Sequence, residues 1–131
     1  MKLKSEKGQA MVEFALVLPI LLLLIGGIID FGLIFNQKVL ANNASREAAR
    51  YVAVHYNTEL KTPSAANTKA DEKAKSYLPS YIAGIPPTVT ATIAGEEVKL
   101  TVKWETGAIM PFYSKVLDEV EIISSAVFKI E

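Results

Sequence analysis

No cysteine occurs in this chain, and there is a single histidine, His55. The first absence excludes a disulfide staple and any thiolate metal site, and the second excludes a histidine cluster. Net charge is missing as well, since 14 Lys and Arg residues stand against 14 Asp and Glu. A neutral chain has no general pull toward nucleic acid or acidic substrates. Serine, threonine and acidic residues are scattered without a nucleophile–base set. The reading is therefore of a non-enzyme, with no cofactor, no metal, no nucleic-acid partner and no small-molecule substrate.

Charge is also scarce locally. Across the twenty residues from Ala10 to Ile29 the only ionisable side chain is Glu13. As a helix that stretch runs about 30 Å, the thickness of a bilayer core. Asp30 then falls near the far interface, and Phe31 and Phe35 stand where aromatic belts sit. The other reading of such a run is a fully buried core helix, but the rest of a 131-residue chain is too small to wrap it on all sides. An ordinary secretory signal has an apolar core of about 7–15 residues and a small-x-small cleavage site, and neither description fits. Membrane lipid is thus the expected surrounding of residues 9–35. Lys2, Lys4 and Lys7, against Glu6, leave positive charge before the span. That asymmetry keeps the N-terminus in the cytoplasm and puts everything after about Phe35 on the other side.

A carboxylate alone in hydrocarbon costs a few kcal/mol on insertion scales, on the order of 3 for an acid at the helix centre. Glu13 needs an account. A cut after Gly8 would expose the α-amine of Gln9, one helical turn from Glu13. That ammonium, on the same chain or on a neighbour, would compensate the acid, and between neighbours the pair would set axial register. Alternatively Glu13 snorkels to the headgroups from one turn inside. The basic leader, Gly8 and the twenty-residue span together favour the cut.

The segment "GQAMVEFALVLPILLLLIGGIIDFGLIFNQKVLANNASREAARYVA" resembles the N-terminal signature of TadE-like proteins, the pseudopilins or minor pilins of the tight-adherence (Flp-type) pilus system. The likeness covers about residues 7 to 54. It rests on the G-Q-A-x-V-E-F start, the L-P step, "IIDFG" and "NNASREAARYVA", in that order and spacing. The resemblance implies cleavage by a prepilin peptidase after Gly8, with Glu13 and the aromatic Phe14 belonging to the recognition pattern. It also implies other pilin or pseudopilin subunits and the pilus assembly machinery as partners. The location it implies is a bacterial cytoplasmic membrane, with incorporation into an extracellular pilus. Major pilins of this system are typically little more than the helix, so a head points to a minor subunit.

The remaining features suit such a rod. Pro19 lacks an N–H and crowds the carbonyl of Ala15, which predicts a kink or local melting. Gly26, Gly27 and Gly32 allow close helix approach without a GxxxG frame. From Asn36 to Tyr56 no Pro or Gly occurs, and Ala41, Ala44, Ala48 and Val52 fall on one stripe. That stripe would pack against the chain's own sheet or another subunit's helix. Glu47 and Arg50 stand three apart as an expected surface pair.

Residues 57–69 read as a loop. "SAANTKADEKAKSYL" follows as a short helix, with Ala66, Ala70, Ala74, Tyr77 and Leu78 on its apolar side and Pro79 as its stop. "SYIAGIPP" reads as a linker. From Thr88 the period becomes two: Val89, Ala91 and Ile93, a turn at Gly95, then Val98, Leu100, Val102 and Trp104. Residues 106–117 read as a loop. Val120, Ile122, Ala126, Phe128 and Ile130 mark a third strand, and the acidic run Asp118, Glu119, Glu121 reads as a solvated edge.

The expected fold is α+β: a long N-terminal transmembrane pilin-like helix running into a small head with a short helix and a three-stranded antiparallel sheet. Its parts are a leader (1–8), a span (9–35), a helical continuation (36–56) and the head (57–131). Glu13, Pro19, Asp30, Ala41, Ala44 and Ala48 are the expected assembly and helix-packing positions. The alternative is an uncleaved single-pass protein whose outer domain binds a ligand or protein partner.

Overall fold

The computed structural model describes residues 3–78, 87–105 and 120–131. Its first element, α1, is one helix from Leu3 to His55. Its 53 residues span about 80 Å. The helix runs through Pro19 without a break, so the local melting expected there is absent. A proline removes one hydrogen bond, and the long helical segments on either side hold the geometry around it.

The chain then widens into a π-helical turn, Tyr56–Leu60, instead of the open loop expected from residue 57. Lys61 N–H closes it by donating to the Tyr56 carbonyl at 2.8 Å. The bulge carries Leu60 into the core. Lys61 ends the turn in the left-handed region, at φ 45°. Only Lys61 and Thr62 separate the turn from the second helix, α2 (Pro63–Tyr77). Thr62 caps that helix, its hydroxyl oxygen accepting from Ala65 N–H at 3.2 Å, and Pro63 fills the first position, where no N–H is needed.

Three antiparallel strands follow in the order β1 (Thr88–Ala94), β2 (Glu97–Glu105), β3 (Glu121–Lys129). Gly95 and Glu96 join the first two. Within this turn φ is positive at Gly95 (64°) and not at Glu96, the sign pattern of a type II′ hairpin turn. The register pairs Ala91 with Leu100, Val102 with Ser124, and Trp104 with Ile122. One face of the sheet is therefore apolar, and both helices cover it: α1 lies against β2 and β3, α2 against β1.

The core divides labour by size. The sheet supplies Val98, Leu100, Val102, Trp104 and Ile122, while the helices supply Ala41, Ala44, Ala48 and Val52 from α1 and Ala66, Ala70 and Ala74 from α2. Alanine loses no side-chain entropy on burial and lets backbones approach closely. Each large strand residue buried adds about 1.5–3 kcal/mol. The alanine stripe thus meets the chain's own sheet and short helix. Tyr77, expected on the apolar side of α2, instead points outward and is 42% exposed.

Each sheet edge also receives a side-chain hydrogen bond. The Asn67 side-chain oxygen accepts from Ala91 N–H at 2.7 Å on the β1 edge. On the β3 edge the Lys38 ammonium donates to the Ile123 carbonyl. The expectations placed at Pro79, in the linker before Pro87, in the 106–117 loop and at Asp118 and Glu119 lie outside the described residues.

Candidate processing and assembly segment

Gly8, Gln9, Glu13 and Phe14 all lie in the first turns of α1 and are exposed. Gln9 and Glu13 are four residues apart, so they share a face one turn from each other. The Glu13 carboxylate has no ion pair among the described residues. At Gly8 a Cβ would meet nothing within 4 Å, and φ is not positive. Neither crowding nor backbone conformation calls for glycine there, although glycine in a helix costs about 1 kcal/mol relative to alanine.

Every residue from Gly8 to Ile25 is exposed. Met11 is 74% exposed and Phe14 63%. A core helix of a soluble protein would be covered, so that reading of the run fails. The helix is long and apolar enough to cross a membrane once. Its uncovered part measures about 27 Å, close to a bilayer core.

Covering begins at Gly26 and Asp30, earlier than the boundary at residue 35 suggested by hydropathy. Asp30, expected at an interface, is only 3% exposed. Gln37 continues the covered face at 1%, and from Ala41 onward the stripe is closed. Hydropathy scores lipid and protein interior alike, which is why it could not see where the head starts. Beside this boundary Phe31, Ile34, Phe35 and Lys38 of α1 face Val120 and Ile122 across an apolar groove of about 280 Å³. Phe31 and Phe35 remain widely exposed.

Sequence reasoning missed a polar clip between α1 and β3. Ser124 donates to the Asn42 side-chain oxygen at 2.6 Å, Ser45 donates to the Asn42 carbonyl at 2.9 Å, and the two serine hydroxyls lie 3.2 Å apart. One signal was available: Ser124 falls in phase with Ile122 and Ala126 on the inward side of β3. The Glu47–Arg50 pair is not formed; α2 carries the ion pairs Lys69–Glu72 and Lys75–Asp71, each at 2.7 Å. Among the described residues no group of acids and histidine is gathered to hold a metal ion.

The comparisons bear on the helix alone. Residues 8–50 match the family model described as TadE-like protein, about a third of the chain. The resemblance read from residues 7 to 54 holds over that segment, and it supports a pilus-related role in general. No curated protein and no solved structure matches the chain.

Proposed function

We propose, from the TadE-like segment and its geometry, that this chain is a minor pilin or pseudopilin of a tight-adherence pilus. In this reading the uncovered part of α1 lies in the cytoplasmic membrane, with the leader inside and the head outside. Prepilin peptidase cuts after Gly8, and the freed Gln9 amine neutralises Glu13 on the same or an adjacent subunit. The apolar surface then passes from lipid to neighbouring helices during assembly. Its role is structural, not catalytic.

The observation that carries this reading is the match of residues 8–50 to the TadE-like family model, a segment that opens at Gly8. The place of Gly8 in the helix has room for a side chain and its backbone conformation suits any residue. A demand from outside the folded chain, such as the fit of an extended backbone into a peptidase, accounts for a glycine that the fold does not use.

Mass spectrometry of the protein from cells with an active prepilin peptidase tests it. The expected mature N-terminus is Gln9. An intact leader in such cells would instead favour the uncleaved single-pass protein with a ligand-binding outer domain. Glu13→Ala is expected to leave membrane insertion intact and to deplete the subunit from sheared filaments; undiminished recovery would remove Glu13 from the assembly step.

A further inference from the structure

The described surface carries a second feature that the pilus reading does not use. Where the end of α1 meets α2, Glu47, Arg50, Tyr51, His55, Lys73 and Tyr77 line an open cleft of about 330 Å³. A second hollow of about 260 Å³ lies beside it, with Tyr51 and Lys73 lining both. The floor of the cleft is aromatic and held in place. The Tyr51 and His55 rings stack with centroids 4.2 Å apart and planes 20° apart. His55 Nδ1–H donates to the Tyr51 carbonyl at 2.8 Å, so Nε2 is the ring nitrogen left for a ligand. The half-buried Lys73 ammonium sits 5.5 Å from the Tyr51 ring centre and 5.9 Å from that of Tyr77.

The charges narrow the ligand. Lys69 is engaged by Glu72 and Lys75 by Asp71. Among the described residues Arg50, Lys73 and Glu47 form no ion pair, although Lys73 also lies in the field of the Glu72 carboxylate. A bare anion would meet the two cations but leave Glu47 and the exposed Tyr77 face unanswered. A neutral sugar would leave Arg50 unanswered and Lys73 with only the faces of the two tyrosines. An aromatic acid could stack but would bring no donor to Glu47 or His55. A ring that carries a carboxylate and hydroxyls together answers these groups: its carboxylate takes Arg50 and Lys73, its hydroxyls donate to Glu47 and His55 Nε2, and its C–H face lies on the exposed Tyr77, because His55 and Lys73 already cover the Tyr51 ring. The volume suits one or two such rings, at the small end of ligand clefts.

We infer that the α1–α2 cleft binds an acidic sugar, a hexuronate unit. The inference is independent of cleavage at Gly8.

The test uses the full chain in detergent micelles, titrated with D-glucuronate, D-glucose and inorganic phosphate and followed by NMR. His55 is the single histidine of the chain, so its ring signal reports this cleft unambiguously. Saturable glucuronate shifts at His55 are expected, with glucose weaker by about tenfold or more for loss of the charge-assisted bonds. Phosphate is expected to give no saturable shift. Arg50→Gln and Tyr77→Ala alter exposed side chains and should weaken glucuronate by about tenfold each, with helix content by circular dichroism unchanged. The inference is overturned if glucuronate leaves His55 unmoved, if phosphate or glucose binds as well as glucuronate, or if Arg50→Gln binds like the parent chain.

Discussion

Residues 9–25 and 41–53 lie on the same unbroken helix and follow opposite rules. The first stretch is rich in large apolar side chains and buries none of them. The second is rich in alanine, and its inward stripe is closed off completely. Large exposed side chains offer adaptable surface to surroundings that the chain does not itself provide, whether lipid or other helices. Small buried ones fix a single geometry, because an alanine has no rotamer with which to adapt and a close-packed sheet above it leaves no slack. In one half, then, the helix is a surface for others; in the other it is a wall of its own domain.

The sharpest way to break this contrast is to truncate one large residue in each half. Trp104→Ala, beneath the wall, is expected to cost about 3–5 kcal/mol and to unfold the head in a urea titration followed by near-UV dichroism. Phe14→Ala, 63% exposed, should leave that transition where it is. Equal shifts would erase the distinction between the halves. Next comes enlargement. Ala48→Leu is expected to destabilise by about 2–3 kcal/mol in the same titration, because the sheet cannot retreat. Ala10→Leu, in the uncovered half, should be neutral within about 0.5 kcal/mol.

The third test lies at the end of the wall, where Lys61 holds a left-handed conformation that costs a side chain about 1 kcal/mol or more. Lys61→Gly is expected to raise stability by about 1 kcal/mol, read as a higher melting temperature; a fall would mean that the lysine side chain matters more than its backbone.

The smallest effect is electrostatic. The hydrogen bond and charge of Lys69 hold the Glu72 carboxyl below its usual range. A lowered acid contributes stability that is complete above its ordinary pKa and is lost as pH falls through the lowered value. The same bond and charge raise Lys69 above its usual range, a contribution complete below the ordinary lysine pKa and lost as pH rises through the raised value. Both side chains are exposed, so an acid titration of Glu72→Gln against the parent should show only a slight divergence, removed by salt.

Local periodicity carried most of the fold into view. The stripe at Ala41, Ala44, Ala48 and Val52, the alternation from Val89 to Trp104, the turn at Gly95 and the face of β3 were all legible. Each depends on residues a few positions apart. What stayed hidden depends on partners far along the chain: Ser124 meets Asn42 across 82 positions, and Asn67 satisfies Ala91 across 24. The π-helical turn was missed because Thr and Asn suggested a loop, while burial of Leu60 pulled the backbone inward. In the candidate segment, Gly8 and Glu13 stood out by being out of place, one in a helix and the other in an apolar run. Burial of Asp30 could not be read, because its position beside two phenylalanines suits a membrane edge equally well.

The absence of a break in α1 has a mechanical consequence. A rod about 80 Å long with no joint behaves as a lever, and a change of about 10° in the tilt of its lower end sweeps its upper end by about 14 Å. In a bilayer, small adjustments in how the greasy end leans against its surroundings would therefore set where the globular end stands above the surface. Shortening or lengthening the rod by a single residue would turn the head by about 100° about the long axis, presenting a different side to whatever stands next to it.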